Sequence, residues 1–300
     1  MYRIVGRQFV NGKGVGGLLL EGNRVPDSWD VSVFEVNGHR ELSARPVIEW
    51  KELCEYEDHL REWPDQRTAR EIEADEEERR LRCQKKAAHR AKTICRRKIK
   101  ASNFREMLTG TYRENQTDGE LFKFHLAKFI DAIRYVLPKI QYCVAFEQQD
   151  RGAWHFHMAT NKLPRFVRYK GEKIEGWMLP TMIWRGIVGG DNGLVFVGGK
   201  PRWGSSRRRN QSIAKIASYV SKYILEDSEN TPFGEKRYWS SRTIDPMPKP
   251  THFTLHGCTV EELVKVAFEC PPGHAVVSHR IGRWGDSYWL CTEPEKPAFQ

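Results

Sequence analysis

Hydrophobic and polar positions change period several times along the chain, and each change predicts an element. Residues 107–112 (MLTGTY) alternate as a β-strand does, whereas residues 120–137 carry the 3.6-residue period of an amphipathic helix. A capping box formed by Thr117 and Glu120 predicts where this helix begins. Pro138 predicts where it ends, because proline cannot continue a helix.

The next segment predicts a β-hairpin. Residues 140–149 and 154–161 alternate again, and Asp150-Arg151-Gly152 between them has the composition of a turn. Further along the chain, the pattern predicts a helix at 181–188, a strand at 194–197 and a helix at 211–226. The order β-α-β-β-α-β-α indicates an α+β fold, with a central antiparallel sheet and helices packed mainly on one side.

The flanking segments differ from this central part. Residues 1–50 are Gly-rich and predict short strands and turns, whereas 65–102 contain no Gly or Pro and predict one or two long helices. After about residue 246 the pattern is β-α-β-β, with a helix capped by Thr259 and Glu262. We therefore predict an N-terminal β-rich segment, a charged helical extension, a central domain and a small C-terminal segment, at 1–64, 65–102, 103–245 and 246–300.

Charge changes the picture, because the net charge of +10 is concentrated in clusters. Residues 79–100 hold eleven Lys or Arg and no acidic residue, and three arginines follow a Gly/Trp/Ser loop near residue 205. Such clusters indicate either binding of a polyanion, most simply nucleic acid, or a solvated helix face without a specific role. The candidate DNA-binding residues are Arg96, Arg97, Lys98, Arg207, Arg208, Arg209 and Lys215.

Several classes of protein are disfavoured. Seven cysteines never occur as CxxC, which argues against a zinc finger and favours reduced, mostly buried thiols. No Walker A motif is present, so we expect no nucleotide hydrolysis and no helicase activity in this chain. No run approaches the ~20 apolar residues of a transmembrane helix, and the N-terminus does not read as a signal peptide. A cytoplasmic protein without membrane contact is the expectation.

The hairpin places three candidate metal ligands together. His155 and His157 are two residues apart and therefore project from the same face of their strand. A three-residue loop with Gly152 in the left-handed position would pair Glu147 with His155, whereas a two-residue loop would move Glu147 out of line. One carboxylate and two imidazoles suit a divalent cation that acts as a Lewis acid. Without the carboxylate, the two histidines read as ordinary strand residues.

The helix predicted at 211–226 supplies a possible nucleophile. Its apolar stripe contains Ile213, Ile216, Ala217, Val220 and Ile224, and two tyrosines at the edge of this stripe are four residues apart. Tyrosines at the edge of a core are common, but a metal-activated phosphodiester would make a phenol useful as a nucleophile. A nearby lysine could stabilise the developing charge. The candidates are Tyr219, Tyr223 and Lys222.

In this order the motifs resemble those of a known family. A glutamate precedes the histidine pair within residues 147–157 (EQQDRGAWHFH), and the tyrosine-lysine motif follows at residues 219–223 (YVSKY). Together they resemble the HUH endonucleases, specifically the rolling-circle replication initiators of phages and plasmids, and the YxxKY spacing is similar to that of gene A type initiators. MLTGTY stands where the family has its first motif, although Gly110 replaces the usual bulky residue. The resemblance covers roughly residues 95–245.

The resemblance implies an RRM-like nuclease core and a mechanism. Mg²⁺ or Mn²⁺ held by His155, His157 and Glu147 would polarise a phosphate of single-stranded origin DNA. Tyr219 would attack first and stay joined as a 5′-phosphotyrosine, and Tyr223 would be the second nucleophile, with Lys222 assisting. A host helicase and a DNA polymerase would be partners, in the cytoplasm of a bacterial host. The sequence leaves the oligomeric state open.

Four other classes of protein share part of these features. A relaxase or a transposase would share the chemistry, but relaxases usually carry a further histidine, and transposases of this type usually have one tyrosine and a shorter chain. A non-catalytic nucleic-acid-binding protein would explain the charge but not Glu147, the paired histidines and the tyrosine helix. A histidine-triad hydrolase would need a third alternating histidine where Ala159 stands.

Overall fold

The computed structural model describes residues 2–5, 8–10, 13–15, 18–55, 63–64, 68–198, 212–226, 235–244, 247–269 and 273–295. The chain divides into two compact units. Unit 1 comprises Met1–Arg79 and Pro248–Gln300, and unit 2 comprises Arg80–Met247.

The described residues form five helices, of which the first is the longest. They are α1 (Ala69–Ala101), α2 (Gly119–Val136), α3 (Leu179–Val188), α4 (Ile213–Glu226) and α5 (Val260–Phe268). The helices predicted in the central and C-terminal parts of the chain are therefore confirmed, and the charged extension is one continuous helix. Among these helices none is both long and apolar enough to cross a membrane.

The strands that the structure describes fall into four sheets. They are β1 (Tyr2–Val5), β2 (Gln8–Val10), β3 (Lys13–Val15), β4 (Leu18–Val36), β5 (His39–Glu55), β6 (Trp63–Pro64), β7 (Glu106–Tyr112), β8 (Tyr142–Gln148), β9 (Trp154–Thr160), β10 (Phe166–Tyr169), β11 (Glu172–Glu175), β12 (Gly193–Val197), β13 (Tyr238–Ser240), β14 (Thr251–Leu255), β15 (His274–Ile281) and β16 (Tyr288–Pro294).

Unit 2 is built on a five-stranded antiparallel sheet. Its strand order is β12-β7-β9-β8-β13, and every neighbouring pair is antiparallel. The predicted α+β class with a central antiparallel sheet is confirmed. β13 at one edge is an addition, because three residues are too short a run to give a periodic signal.

The two faces of this sheet differ in what covers them. α2 and α3 form the expected helical layer, and their apolar side chains pack against Phe156 and Met158. On the opposite face lie α4 and the last turns of α1, which pack against Cys143, Ala145 and Ala159. Small residues at those three strand positions leave room for a helix to approach the sheet closely.

The start of α2 differs from the expectation. The N-cap is Asp118, whose Oδ1 accepts hydrogen bonds from the backbone N–H of Glu120 at 2.9 Å and of Leu121 at 3.0 Å. The capping box predicted for Thr117 is wrong, because a carboxylate one residue further along is a stronger acceptor for these N–H groups. In α5 the predicted capping box of Thr259 and Glu262 is confirmed.

A small hairpin between β9 and α3 was not predicted. β10 and β11 pair with each other alone, through a turn in which Lys170 and Gly171 have φ values of 51° and 85°. Val167 and Ile174 from the two strands pack against the core of unit 2. Four-residue strands with charged residues at most other positions carry too weak an alternation to be recognised in sequence.

Unit 1 joins segments from both ends of the chain in one sheet. Its order is β1-β4-β5-β16-β15, and β14 also pairs with β4. The expectation of short strands in this region is wrong for β4 and β5, which have 19 and 17 residues. Trp29, Val31 and Leu42 of this sheet pack against Leu263 and Ala267 of α5.

The described cysteines are consistent with the predicted reduced, mostly buried thiols. Five of them form no disulfide bond, and three of these five, Cys95, Cys143 and Cys291, are buried. The Sγ atoms of Cys95 and Cys143 lie 3.2 Å apart at hydrogen-bond distance, and burial raises the pKa of the Cys95 thiol. Buried thiols of this kind behave as small apolar groups in the core.

Steric packing explains why residue 110 is a glycine, and the sequence alone did not show this. It pairs with Phe156 across β7 and β9, and a Cβ atom at Gly110 would lie 1.9 Å from the Phe156 ring. The rings of Phe129 and Trp184 pack at 5.3 Å on the same phenylalanine and limit its movement. The space of a missing side chain is thus filled by an aromatic ring from the neighbouring strand.

We expect Gly110→Ala to lower the free energy of unfolding by about 2 kcal/mol or more, because Phe156 has no room to withdraw. Urea unfolding followed by circular dichroism measures this. The matched control is Gly186→Ala in α3, where no described atom outside the adjacent residues and the backbone of the helix lies within 4 Å of the new Cβ. That variant should gain about 0.5–1 kcal/mol from helix propensity. Equal stability of Gly110→Ala and the unmodified protein would contradict the packing.

Candidate active site

The hairpin of β8 and β9 has the predicted three-residue turn. Gly152 has a φ of 82°, its N–H donates to the carbonyl of Gln149 at 2.7 Å, and Gln149 N–H donates to the carbonyl of Ala153 at 2.9 Å. This turn sets Glu147 opposite His155. The predicted register is confirmed, and it places Glu147, His155 and His157 on one face of the sheet.

His157 is buried and held by two neighbours. Its Nδ1 lies 3.1 Å from Thr109 Oγ1 on β7, and its Nε2 lies 3.3 Å from Glu147 Oε1 on β8. Strand pairing sets Thr109 directly opposite His157. Residues from three neighbouring strands are thus linked through His157, and these two contacts fix the plane of its imidazole ring.

His155 is buried but lacks this support. Its Nε2 makes no hydrogen bond to any residue that the structure describes. Burial lowers the pKa of His155, while the Glu147 carboxylate partly opposes that shift. The imidazole is therefore neutral near pH 7, with a buried nitrogen that lacks a partner. Such an atom in a folded protein calls for an explanation, and ligation of a cation is one.

The donor set fits a divalent cation, although no finished metal site is present. Among the described residues, no three His, Cys, Asp or Glu side chains are already arranged as metal ligands. The 3.3 Å between Glu147 Oε1 and His157 Nε2 is nevertheless close to the ~3 Å between neighbouring ligands of an octahedral cation bound at ~2.1 Å. Together with the unpaired nitrogen of His155, these atoms could hold such an ion.

α4 brings both tyrosines to the same face of the sheet. The ring of Tyr223 stacks on the imidazole of His157, with centroids 4.2 Å apart and planes at 14°. Tyr219, one turn earlier, meets His157 edge-on at 5.2 Å. The two tyrosines differ in access, since Tyr219 is 39% exposed and Tyr223 only 7%.

This arrangement follows from the apolar stripe of α4. Ile216, Ala217, Val220 and Ile224 are buried against the sheet, as the helical period predicts. The tyrosines lie on the edge of the stripe that faces His157. The stripe alone could not show which face of the sheet would receive the helix.

The lysines of α4 remain near the surface. Lys215 and Lys222 are both exposed, as predicted. The Nζ of Lys222 lies 5.1 Å from the ring centre of Tyr223, which is close enough for a cation–π contact. Lys222 therefore lies beside Tyr223, whereas Lys215 lies two helical turns before Lys222.

Of the other basic candidates, the structure describes the three on α1. Arg96 and Arg97 are half-buried near the end of α1, and Lys98 Nζ donates to Ser240 Oγ at 2.9 Å. The same ammonium group lies 5.5 Å from the ring centre of Tyr238, so Lys98 joins α1 to β13. The three arginines at 207–209 lie outside the described residues.

Thr109 is a site residue that the sequence patterns did not single out. It lies within MLTGTY, where the alternation already separates Thr109 and Thr111 from the buried Leu108. The missing information was the pairing of β7 with β9, which sets Thr109 beside His157. Neighbouring strands can be far apart in sequence, so no local pattern contains this pairing.

Comparison with protein-family models finds a match for residues 105–228, to the family described as replication-associated protein of the ORF2/gene 2 protein type. The matched segment includes β7, the β8–β9 hairpin and α4, and therefore all side chains of the candidate site. It is consistent with a rolling-circle replication initiator. Comparison with curated proteins finds no match, and neither does comparison with solved structures.

The difference in access between the tyrosines can be measured. With limiting tetranitromethane, we expect nitration of Tyr219 well before Tyr223, because one phenol is accessible and the other lies in a stack. Peptide mass spectrometry locates the nitro groups. Tyr135, which is exposed, and Tyr112, which is buried, are internal controls. Earlier nitration of Tyr223 would contradict the arrangement of α4.

Proposed function

We propose that this protein is a metal-dependent nicking and joining enzyme of the HUH class, which cuts single-stranded origin DNA and initiates rolling-circle replication. One observation carries the proposal. Glu147, His155 and His157 share one face of the sheet with two tyrosine rings, both within about 5 Å of the His157 ring. The family match supports a role in replication, and the chemistry is inferred from the residues.

Glu147, His155 and His157 would hold the cation. A bound Mg²⁺ or Mn²⁺ supplies Lewis-acid chemistry, since it draws charge from a phosphate oxygen. Thr109 fixes the orientation of His157 by occupying its Nδ1, which leaves Nε2 directed towards Glu147. His155 contributes a neutral imidazole, the protonation state that a ligand needs.

Tyr219 would be the first nucleophile. Its phenolic oxygen forms a bond to phosphorus while the bond to the 3′-oxygen breaks, so the phenol loses its proton and the leaving oxygen gains one. The products are a 5′-phosphotyrosine and a free 3′-hydroxyl that can prime synthesis. Because the new link is also a phosphodiester, the 3′-hydroxyl can reverse the step and join DNA ends. The greater exposure of Tyr219 supports its use before Tyr223.

Tyr223 and Lys222 would act around this step. Tyr223 is the candidate second nucleophile, and leaving the stack on His157 would expose it. Lys222 can place its positive charge near phenolate or phosphate oxygens, because its side chain lies beside Tyr223 at the surface. Strand separation and synthesis would fall to a host helicase and a DNA polymerase, in the cytoplasm of a bacterial host.

The proposal predicts a covalent adduct. With Mn²⁺ and a randomised pool of single-stranded DNA labelled at its 3′ end, the label should migrate with the protein in a denaturing gel. Tyr219→Phe should reduce the adduct on the order of 100-fold, since it removes the attacking oxygen and keeps the ring. Tyr135→Phe is the control.

The outcomes separate the alternatives. An undiminished adduct in Tyr219→Phe that disappears in the double variant with Tyr223→Phe would make the two tyrosines interchangeable. DNA binding without any adduct would favour a non-catalytic nucleic-acid-binding protein. Nicking and rejoining of a circular template that starts no synthesis when a helicase and a DNA polymerase are supplied would favour a relaxase or a transposase.

The metal assignment has its own test. Thr109→Val removes the hydroxyl beside His157 and should weaken Mn²⁺ affinity about 10- to 100-fold, as measured by calorimetry. Thr111→Val is the matched control, because the Thr111 hydroxyl lies near the carbonyl of Leu194 and not near a histidine. His157→Ala should abolish both Mn²⁺ binding and adduct formation. Nicking that persists in His155→Ala and His157→Ala would disprove the assignment.

A further inference from the structure

An apolar strip lies on the sheet beside the candidate site. β12 alternates between buried and exposed residues, and Val195 and Val197 point into the core of unit 2. The exposed positions are Leu194, 38% exposed, and Phe196, 51% exposed. Exposed positions of a strand that is covered on one face only are usually polar, so two large apolar side chains on β12 are unusual.

Strand pairing locates this strip relative to the site. Phe196 pairs with Thr109, and Thr109 pairs with His157. The three side chains therefore form one cross-strand row on one face of the sheet. Because neighbouring strands are ~4.8 Å apart, the backbone of Phe196 lies roughly 10 Å from that of His157.

Among the described residues, helices cover the neighbouring part of this face but do not cover the strip. α4 packs on β8 and β9, and the end of α1 packs around Met107 and Ala159. Towards β12, the same face shows the half-buried Thr109 and Thr111, and then Leu194 and Phe196. A molecule that contacts the exposed Tyr219 can thus continue over the two threonines to Phe196.

We propose that Phe196, with Leu194 beside it, is a stacking platform for an unpaired base of the DNA strand engaged at Tyr219. This inference rests on the proposed function and names how the substrate is held. Every base has a π-face, so an aromatic ring on a sheet can hold a single strand whatever its sequence. The net charge of +10 and the exposed Lys215 and Lys222 suit the phosphates that accompany such a base.

Stacking is tested with a probe that does not depend on the origin sequence. The probe is a fluorescein-labelled oligothymidylate, and its partner is an oligomer of the same length with the same phosphates but no bases. We expect Phe196→Ala to bind oligothymidylate about 10-fold more weakly by fluorescence anisotropy and to bind the base-free oligomer unchanged. Phe196→Trp should keep the affinity, and its indole fluorescence should be quenched by the bound bases.

Phe124→Ala is the matched control. Phe124 is an exposed phenylalanine on α2, the helix packed on the opposite face of the sheet, so its removal should leave both affinities unchanged. Three results would overturn the proposal: an equal loss for both oligomers, an equal loss in Phe124→Ala, or no loss in Phe196→Ala. Self-association that Phe196→Ala abolishes, with unchanged DNA affinity, would instead assign the strip to a second copy of the chain.

Failure of this inference can be told apart from failure of the proposed function. If Tyr219 forms the covalent adduct while Phe196→Ala binds and reacts as the unmodified protein does, the chemistry stands and the platform is wrong. If no adduct forms but the base-dependent affinity is lost in Phe196→Ala, the stacking role of Phe196 is confirmed and the protein binds DNA without cutting it. Where both hold, Phe196→Ala should raise KM for the oligonucleotide and leave kcat nearly unchanged.

Discussion

The left-handed backbone of Gly152 is the constraint on which the site depends. A side chain there would be strained at a φ of 82°, and its Cβ would lie 3.3 Å from Thr117 Cγ2. The three-residue turn sets the pairing of β8 with β9, and strands repeat every two residues. A slip by one residue would turn Trp154 and Phe156 towards the site and both histidines towards the core. Turn geometry thus decides which chemistry the sheet can present.

Packing on the α2–α3 face of the sheet holds in place the strands that carry the candidate site on the opposite face. Phe156 fills the space above Gly110, and the Trp184 indole N–H donates to the carbonyl of Thr111 at 2.9 Å. These contacts connect α3 and β9 to the strand that holds Thr109. Close packing on one side therefore limits the movement of side chains on the other, which is what a ligand set of defined geometry requires.

Features that depend on neighbours in sequence could be predicted, and features that depend on distant pairing could not. The hairpin register followed from one turn, and the buried stripe of α4 followed from its period. The position of Thr109 and the packing of α4 across β8 and β9 required the order of strands in the sheet. The pairing of β4 with β14 and of β5 with β16 could not be predicted either. An alternating strand is compatible with many partners, so its own sequence does not identify the strand that it pairs with.

That last pairing has a consequence for how the molecule is made. The sheet of unit 1 takes β4 and β5 from before residue 56 and β14, β15 and β16 from after residue 250. A ribosome synthesises roughly 200 residues between these two groups, so unit 2 has its whole sequence available first. Until β14–β16 emerge, the long β4–β5 hairpin has unpaired edges that are prone to aggregation. These edges therefore stay unpaired for as long as the residues between β5 and β14 are being translated.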